Sequence, residues 1–320
     1  MKSTFRMFAA ALAVVCAASG ALAADKSVAI TQIVEHPALD AARKGVKDVL
    51  AEAGFVEGKN LEWQYESAQG NPVTAAQIAK KFVGDAPDVI VAIATPSAQA
   101  AVASTKTIPV VFSAVTDPVA AKLVSNWEKP GANVTGMSDM APIDKHLAMI
   151  KRISPNVKKL GVLFNPGEVN SVSSLEAVKK EAPALGIEVF EGPAPKTSEV
   201  LAAARSLVGK VDAFYVPTDN TVVSAFEAVT KVGIDAKIPV YAADTDSVPR
   251  GAIAALGFNY YEVGRQTGAV VVRILKGEKP GDIPVAGVEK LNLWLNLGSA
   301  GKMGVTVPDA IVSEAAKVIR

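Results

Sequence analysis

Cysteine is almost missing from this chain: Cys16 is the only one, and histidine is limited to His36 and His146. A single cysteine allows no internal disulfide. Because Cys16 lies in a segment expected to be removed, no thiolate nucleophile or thiolate metal site remains either. No G-x-S-x-G occurs, and no G-x-G-x-x-G follows a strand pattern, so neither a Ser-His-Asp hydrolase nor the usual dinucleotide loop has support. Gly131 and Gly136 have P-loop spacing, but Met137 and Ser138 stand where Lys and Ser/Thr are required. The acids follow no metal-loop spacing, and no cofactor or metal is expected. Charge of one sign is lacking too. The formal net charge is +1, without a basic stripe or long charge run, which argues against nucleic acid and anionic membrane as partners.

Long apolar runs are confined to the start. Lys2 and Arg6 precede an apolar stretch over 7–18, and Ala21-Leu22-Ala23 is a small-x-small cleavage pattern. Residues 1–23 are therefore expected to be a signal peptide cleaved after Ala23, so that the protein is exported. The stretch is too short for a membrane anchor and is followed at once by Asp25 and Lys26. Val15 stands before Cys16 where a lipoprotein needs a small residue. About 300 residues remain, enough for two lobes that each build a core.

What the chain does have is a pattern stated twice. Residues 88–118 and 212–248 each run from an aspartate through an apolar strand, a Thr-containing loop, a helix and an Ile-Pro-Val strand to a Thr-Asp. The spacing of roughly 125 residues is that of a domain rather than a solenoid repeat. Apolar strands at 27–34, 89–94, 110–115, 160–165, 213–216 and 240–243 alternate with helical segments. Continuous rather than alternating apolar strands are buried on both faces, which predicts parallel sheets flanked by helices. The fold class is α/β: two doubly wound lobes joined by a multi-strand hinge. Lobe one is expected over 24–140 plus about 250–285, and lobe two over 141–249 plus about 286–320. Residues 308–319 have the pattern of a final helix. Crossings between lobes are expected within 116–144, 246–258 and 284–292.

Ligands of open α/β sheets bind beyond the carboxyl ends of the strands, and those ends are polar here. Lobe one offers Glu35, Thr95, Ser97, Thr116 and Asp117; lobe two offers Asn165, Asn170, Thr218, Asp219, Asn220, Asp244 and Asp246. Helix N-termini favour a carboxylate, and acids favour an ammonium. The set suits a zwitterion, with its carboxylate at Thr95 or Ser97 and its amine near Glu35, Asp219 or Asp246. Thr95, Asp219 and Asn220 are also ordinary helix caps, and Asp117 before Pro118 is an ordinary turn starter. Asp246 is harder to explain that way, because Asp244 and Asp246 repel unless a cation or a turn N–H satisfies them. Of Phe258, Tyr260 and Tyr261 at a hinge crossing, Phe258 is the candidate wall for an apolar side chain.

The segments VEHPALDAARKG (34–45), IATPSAQAA (93–101), SAVTDPVAA (113–121), YVPTDNTV (215–222), DTDSVPRGA (244–252) and NYYEVGRQTG (259–268) span the chain beyond residue 23. Together they resemble the periplasmic substrate-binding proteins of ABC importers, of the type I two-lobe group, and more closely the tryptophan/tyrosine-binding (TrpX-like) subfamily. The resemblance implies cleft roles for Glu35, Thr95, Ser97, Thr116, Asp117, Asn170, Thr218, Asp219, Asn220 and Asp246. It also implies hinge closure on an aromatic amino acid and docking of the closed form on an ABC permease. A monomeric, non-enzymatic receptor is the expectation. A sugar or nucleoside receptor of the same fold remains an alternative. So does, from another class, an exported α/β enzyme using Glu35 and His36 as acid and base.

Overall fold

The computed structural model describes residues 26–288 and 290–320; the expected signal segment lies outside them. Lobe one is built on β1 (Lys26–Gln32), β2 (Leu61–Ser67), β3 (Val89–Ile93), β4 (Val110–Val115) and β5 (Val134–Ser138). They form one parallel sheet in the order β2-β1-β3-β4-β5. Strands β3, β4 and β5 are buried along their whole length, as strands covered on both faces must be. The helices that follow the first three strands are α1 (Pro37–Glu52), α2 (Pro72–Asp85) and α3 (Thr95–Ser104). Pro37 and Pro72 stand in the first turns of α1 and α2, and Asn71 caps α2 by accepting from the N–H groups of Val73 and Thr74.

Lobe two repeats the plan. It runs through α4 (Ile143–Ile153), β6 (Lys159–Phe164), α5 (Val169–Glu181), β7 (Glu188–Pro193), α6 (Val200–Ser206), β8 (Ala213–Val216), α7 (Asn220–Ser224), α8 (Phe226–Ala236), β9 (Val240–Ala242) and β10 (Ala254–Gly257). The chain then returns to lobe one as α9 (Tyr260–Leu275). It re-enters lobe two as β11 (Asn292–Asn296), α10 (Leu297–Lys302), α11 (Asp309–Glu314) and β12 (Lys317–Ile319). The seven-stranded sheet has the order β12-β11-β10-β9-β8-β6-β7, and only the β10–β11 pair is antiparallel. Counted from its own first strand, each lobe carries the order 2-1-3-4-5. The order reverses between β1 and β3 in one lobe and between β6 and β8 in the other, where crevices form for ligands. Two separate apolar cores, one per lobe, support these sheets.

Helix α9 follows a strand of lobe two yet packs on α1 of lobe one. Gly45 and Gly264 allow it: a Cβ on Gly264 would stand 1.9 Å from the carbonyl oxygen of Ala42, and one on Gly45 would stand 2.2 Å from that of Tyr261. The backbones of the two helices touch there, so the contact fixes where the second crossing enters lobe one.

The chain passes between lobes three times, at 139–142, 258–259 and 287–291, which is the hinge of the type I arrangement. The tail departs from expectation. Only Asp309–Glu314 is helical, because the last residues pair instead with β11, with the Ala316 N–H donating to the Leu293 carbonyl. Strand β10 also belongs to the second sheet, so lobe one resumes at α9 rather than near residue 250. Helix α4 is amphipathic, with Ile143, Leu147, Ile150 and Ile153 recurring at helical spacing on its buried face. Strand β5 carries no strong sequence signal: it is short and includes Gly136, whose absent side chain makes room for the Phe112 carbonyl.

Candidate functional site

The strand ends of the two lobes face each other across a cavity with about 330 Å³ of atom-free space, part of it open to solvent. Lobe one contributes His36, Ala38, Leu39, Ala114, Thr116 and Tyr260 to its wall, and the first crossing contributes Asp139. Lobe two contributes Asn170, Thr218, Asp219, Asn220, Val223 and Asp244. A direct hydrogen bond joins the lobes across it, between the hydroxyls of Thr116 and Thr218 at 3.1 Å. The Thr116 hydroxyl also lies 2.9 Å from Asp139 Oδ1, while Tyr260 donates its phenol proton to Asp139 Oδ2 at 2.7 Å. A hydrogen-bonded chain thus runs from lobe two through Thr116 of lobe one to the first crossing and on to the head of α9. Burial pushes the Asp139 carboxyl up against its hydrogen bonds, and Asp244 adds to the shift.

The lobe-two wall is organised by Glu168, a buried carboxylate at the start of α5. Its Oε1 accepts from Asn165 Nδ2, the Thr221 N–H and the Thr221 hydroxyl; its Oε2 accepts from Asn170 Nδ2 and from the backbone and side-chain N–H groups of Asn220. Asp219 caps α7 through the Val222 N–H at 2.6 Å and also accepts from the Asn165 N–H and the Ser171 hydroxyl. Burial and the nearby Glu168 carboxylate raise its pKa. Asn170 donates to the Thr218 carbonyl at 2.8 Å and to Glu168, and both partners are acceptors. The amide orientation is therefore fixed, and Oδ1 is left buried without a partner.

Lobe one meets the cleft with a bent backbone. Ala94 has φ 73° and ψ 156°, and Ala114 has φ 55°; they follow the paired residues Ile93 and Ser113 on adjacent strands. Such conformations are costly for a residue with a Cβ and collect at functional sites. The bend at Ala94 starts α3 without a side-chain cap, and the hydroxyls of Thr95 and Ser97 in its first turn are buried with no partner.

Of the residues singled out from sequence, Thr116, Asn170, Thr218, Asp219, Asn220 and Asp244 line the cavity. Seven do not. Asn165 instead donates its side-chain amide to Glu168 and Thr221. Glu35 is exposed and accepts from the Tyr65 hydroxyl at 3.1 Å. Asp117 closes a turn by accepting from the Val119 and Ala120 N–H groups. Thr95 and Ser97, at the head of α3, are buried and are not part of the wall. Phe258 is core, with its ring centroid 5.3 Å from that of Tyr260, which takes the wall position instead. Asp246 stands aside from the wall, and Asp244 lines it, accepting from the Ser247 N–H and hydroxyl. Two wall or wall-supporting residues, Asp139 and Glu168, lie outside the sequence expectations, while His36 is expected only as half of an acid–base pair and Tyr260 only as a hinge aromatic. The signal for Glu168 is faint, since an acid before a helix is commonplace, and Asp139 follows the weak strand β5.

Burial and the neighbouring Asp244 raise Asp246 to about 6. A carboxyl held above its unfolded value of about 3.9 lets the native state bind more protons between those pH values, so its ionisation opposes folding above about pH 6. Asp246→Asn is expected to stabilise the protein by about 1–2 kcal/mol at pH 7, allowing for partial solvent screening, and to have no effect at pH 4. Urea unfolding at the two pH values checks this, and an equal gain at both would show that ionisation is not the cause.

Two alike lobes closing on a polar cavity through a three-strand hinge define a hinged receptor that engulfs a small solute. The chain belongs to the ABC transporter substrate binding protein family, whose model matches residues 27–319. It is 44% identical to a tyrosine-binding protein of Clostridioides difficile (strain R20291) over 271 residues, covering 85% of this chain and 79% of the relative. Among solved structures it resembles the ABC domain in complex with L-Trp from Streptococcus pneumonia, with TM-score 0.89 and 35% identity over 92% of this chain and all of that one. It also resembles the ligand-free, open structure of a substrate binding protein with adhesive properties from Clostridium difficile. There the TM-score is 0.69 at 43% identity, over 92% of this chain and 99% of that one.

Proposed function

We propose that the protein is an exported receptor of an ABC importer that binds an aromatic L-amino acid between its lobes and presents the closed form to a membrane permease. The cavity between the lobes, bridged by Thr116 and Thr218, carries this reading. Its relatives' ligands support the amino-acid class. The better match to the L-Trp complex than to the open structure, despite lower identity, supports a closed arrangement of this chain. In this reading the head of α3 takes the ligand carboxylate. Its N–H groups are uncapped, its dipole favours an anion, and the buried hydroxyls of Thr95 and Ser97 lack partners.

The enzyme alternative loses its acid–base pair. Glu35 is exposed and engaged by Tyr65, whereas burial, with Arg250 nearby, lowers His36 to about 3 and leaves it a weak base. No covalent step is required of a receptor that works by closing.

Thermal melting with a panel of amino acids, sugars and nucleosides tests the reading. An aromatic L-amino acid at about 100 times its Kd should add about 2.7 kcal/mol, raising Tm by about 5–10 °C. A shift with a sugar or nucleoside and none with any amino acid would overturn it.

A further inference from the structure

We infer that Asp139 and Asp244, with the free carbonyl oxygen of Asn170, form the seat of a primary ammonium group on the ligand, and that this cation makes closure of the lobes favourable. The inference rests on the cleft being an amino-acid site and assigns the amine to residues other than Glu35, Asp219 and Asp246.

Asp139 and Asp244 both line the cavity, and each is at least 96% buried, with relative exposures of 3% and 4%. One stands on the first crossing and the other on lobe two beyond β9. They stand near enough that Asp244 raises the Asp139 pKa. No lysine or arginine is part of the cavity wall. His36 lines the cavity but is neutral, and Arg250, whose charge reaches Asp244, is held by both oxygens of Glu227 and by the Val223 carbonyl. Two buried carboxylates without a counter-charge oppose the geometry that buries them.

The third observation is independent of charge. Asn170 is 3% exposed, lines the same cavity and carries a buried acceptor that no group among the described residues satisfies. An ammonium has three donors and no acceptor, the complement of two carboxylates and an amide oxygen. Asp219 fits the role less well, because three protein donors already occupy its oxygens. Asp139 and Asp244 each keep lone pairs free after their protein bonds.

The test compares L-tyrosine with 3-(4-hydroxyphenyl)propionate, which differs only in lacking the amine, by titration calorimetry on wild type, Asp244→Asn and Asp139→Asn. Wild type should bind the deamino compound at least about a hundredfold more weakly. Asp244→Asn should weaken tyrosine by about tenfold or more while leaving the deamino compound unchanged or tighter, since one uncompensated buried charge is gone. Asp139→Asn should behave alike, and the melts of the unliganded variants report their folding. Equal binding of the two compounds by wild type would overturn the inference. So would equal weakening of both by Asp244→Asn, the mark of a merely structural role. If wild type binds tyrosine, phenylalanine and tryptophan not at all, it is the amino-acid reading that fails. The deamino comparison needs no variant, so a misfolded mutant does not rescue the inference.

Discussion

Glu168→Ala should lose both ligand binding and about 3 kcal/mol of stability. The carboxylate serves six donors from Asn165, Asn170, Asn220 and Thr221, all clustered at the ends of β6 and β8. Removing it strands those N–H and O–H groups in a buried setting, and a lost acceptor for several donors is among the few mechanisms with so large an effect. The ligand effect is of similar size. Asn170 and Asn220 are wall residues held in place by Glu168, so affinity for an aromatic amino acid should fall by about a hundredfold. Glu168→Gln, which keeps one acceptor oxygen, should fall between wild type and Ala. Urea unfolding and calorimetry read the two effects separately. An Ala variant with wild-type affinity would show that the wall holds its shape without this residue.

Gly264→Val is expected to be the most damaging single change outside the cleft. Its Cβ would stand 1.9 Å from the Ala42 carbonyl and 2.7 Å from the Ala42 Cα, both backbone atoms of α1 that no rotamer change can move. The helices must separate, and loss of about 3 kcal/mol or more follows, a fall in Tm of about 6–12 °C. Because α9 begins at Tyr260, the same displacement should pull its hydroxyl from Asp139 and weaken ligand binding. Gly301→Ala is the control: it lies in a short helix with nothing within 4 Å of its Cβ, and should be neutral or slightly stabilising. A melt of Gly264→Val within 2 °C of wild type, taking ~2 °C as the resolution of such a comparison, would mean that α1 and α9 are not locked together.

The sheets were legible because their strands are short, continuous and apolar, and because Pro37, Asn71, Pro72 and Gly54 mark helix ends unambiguously. The tail was not. The segment 308–319 has helical composition, and only the free edge of β11, a partner distant in sequence, makes Lys317–Ile319 a strand. In the site, residues that follow strong strands were recognised: Thr116 after β4, and Thr218, Asp219 and Asn220 after β8. What sequence could not separate was side-chain direction. Asp244 and Asp246 are two residues apart, and a single 3₁₀ turn at Thr245–Ser247 turns one toward the cavity and the other aside. Phe258 and Tyr260 are likewise two apart; the phenol oxygen of Tyr260 finds Asp139, whereas Phe258, lacking one, sinks into the core.

The hydrogen-bonded chain from Thr218 through Thr116 and Asp139 to Tyr260 means that recognition and opening share one coordinate. An apparent Kd equals the intrinsic Kd divided by the fraction of molecules able to close. A change at Thr116 or Asp139 alters both quantities at once, so selectivity here cannot be tuned without also resetting how long the closed form persists. In the proposed receptor, ligand preference and the persistence of the closed form are therefore expected to drift together.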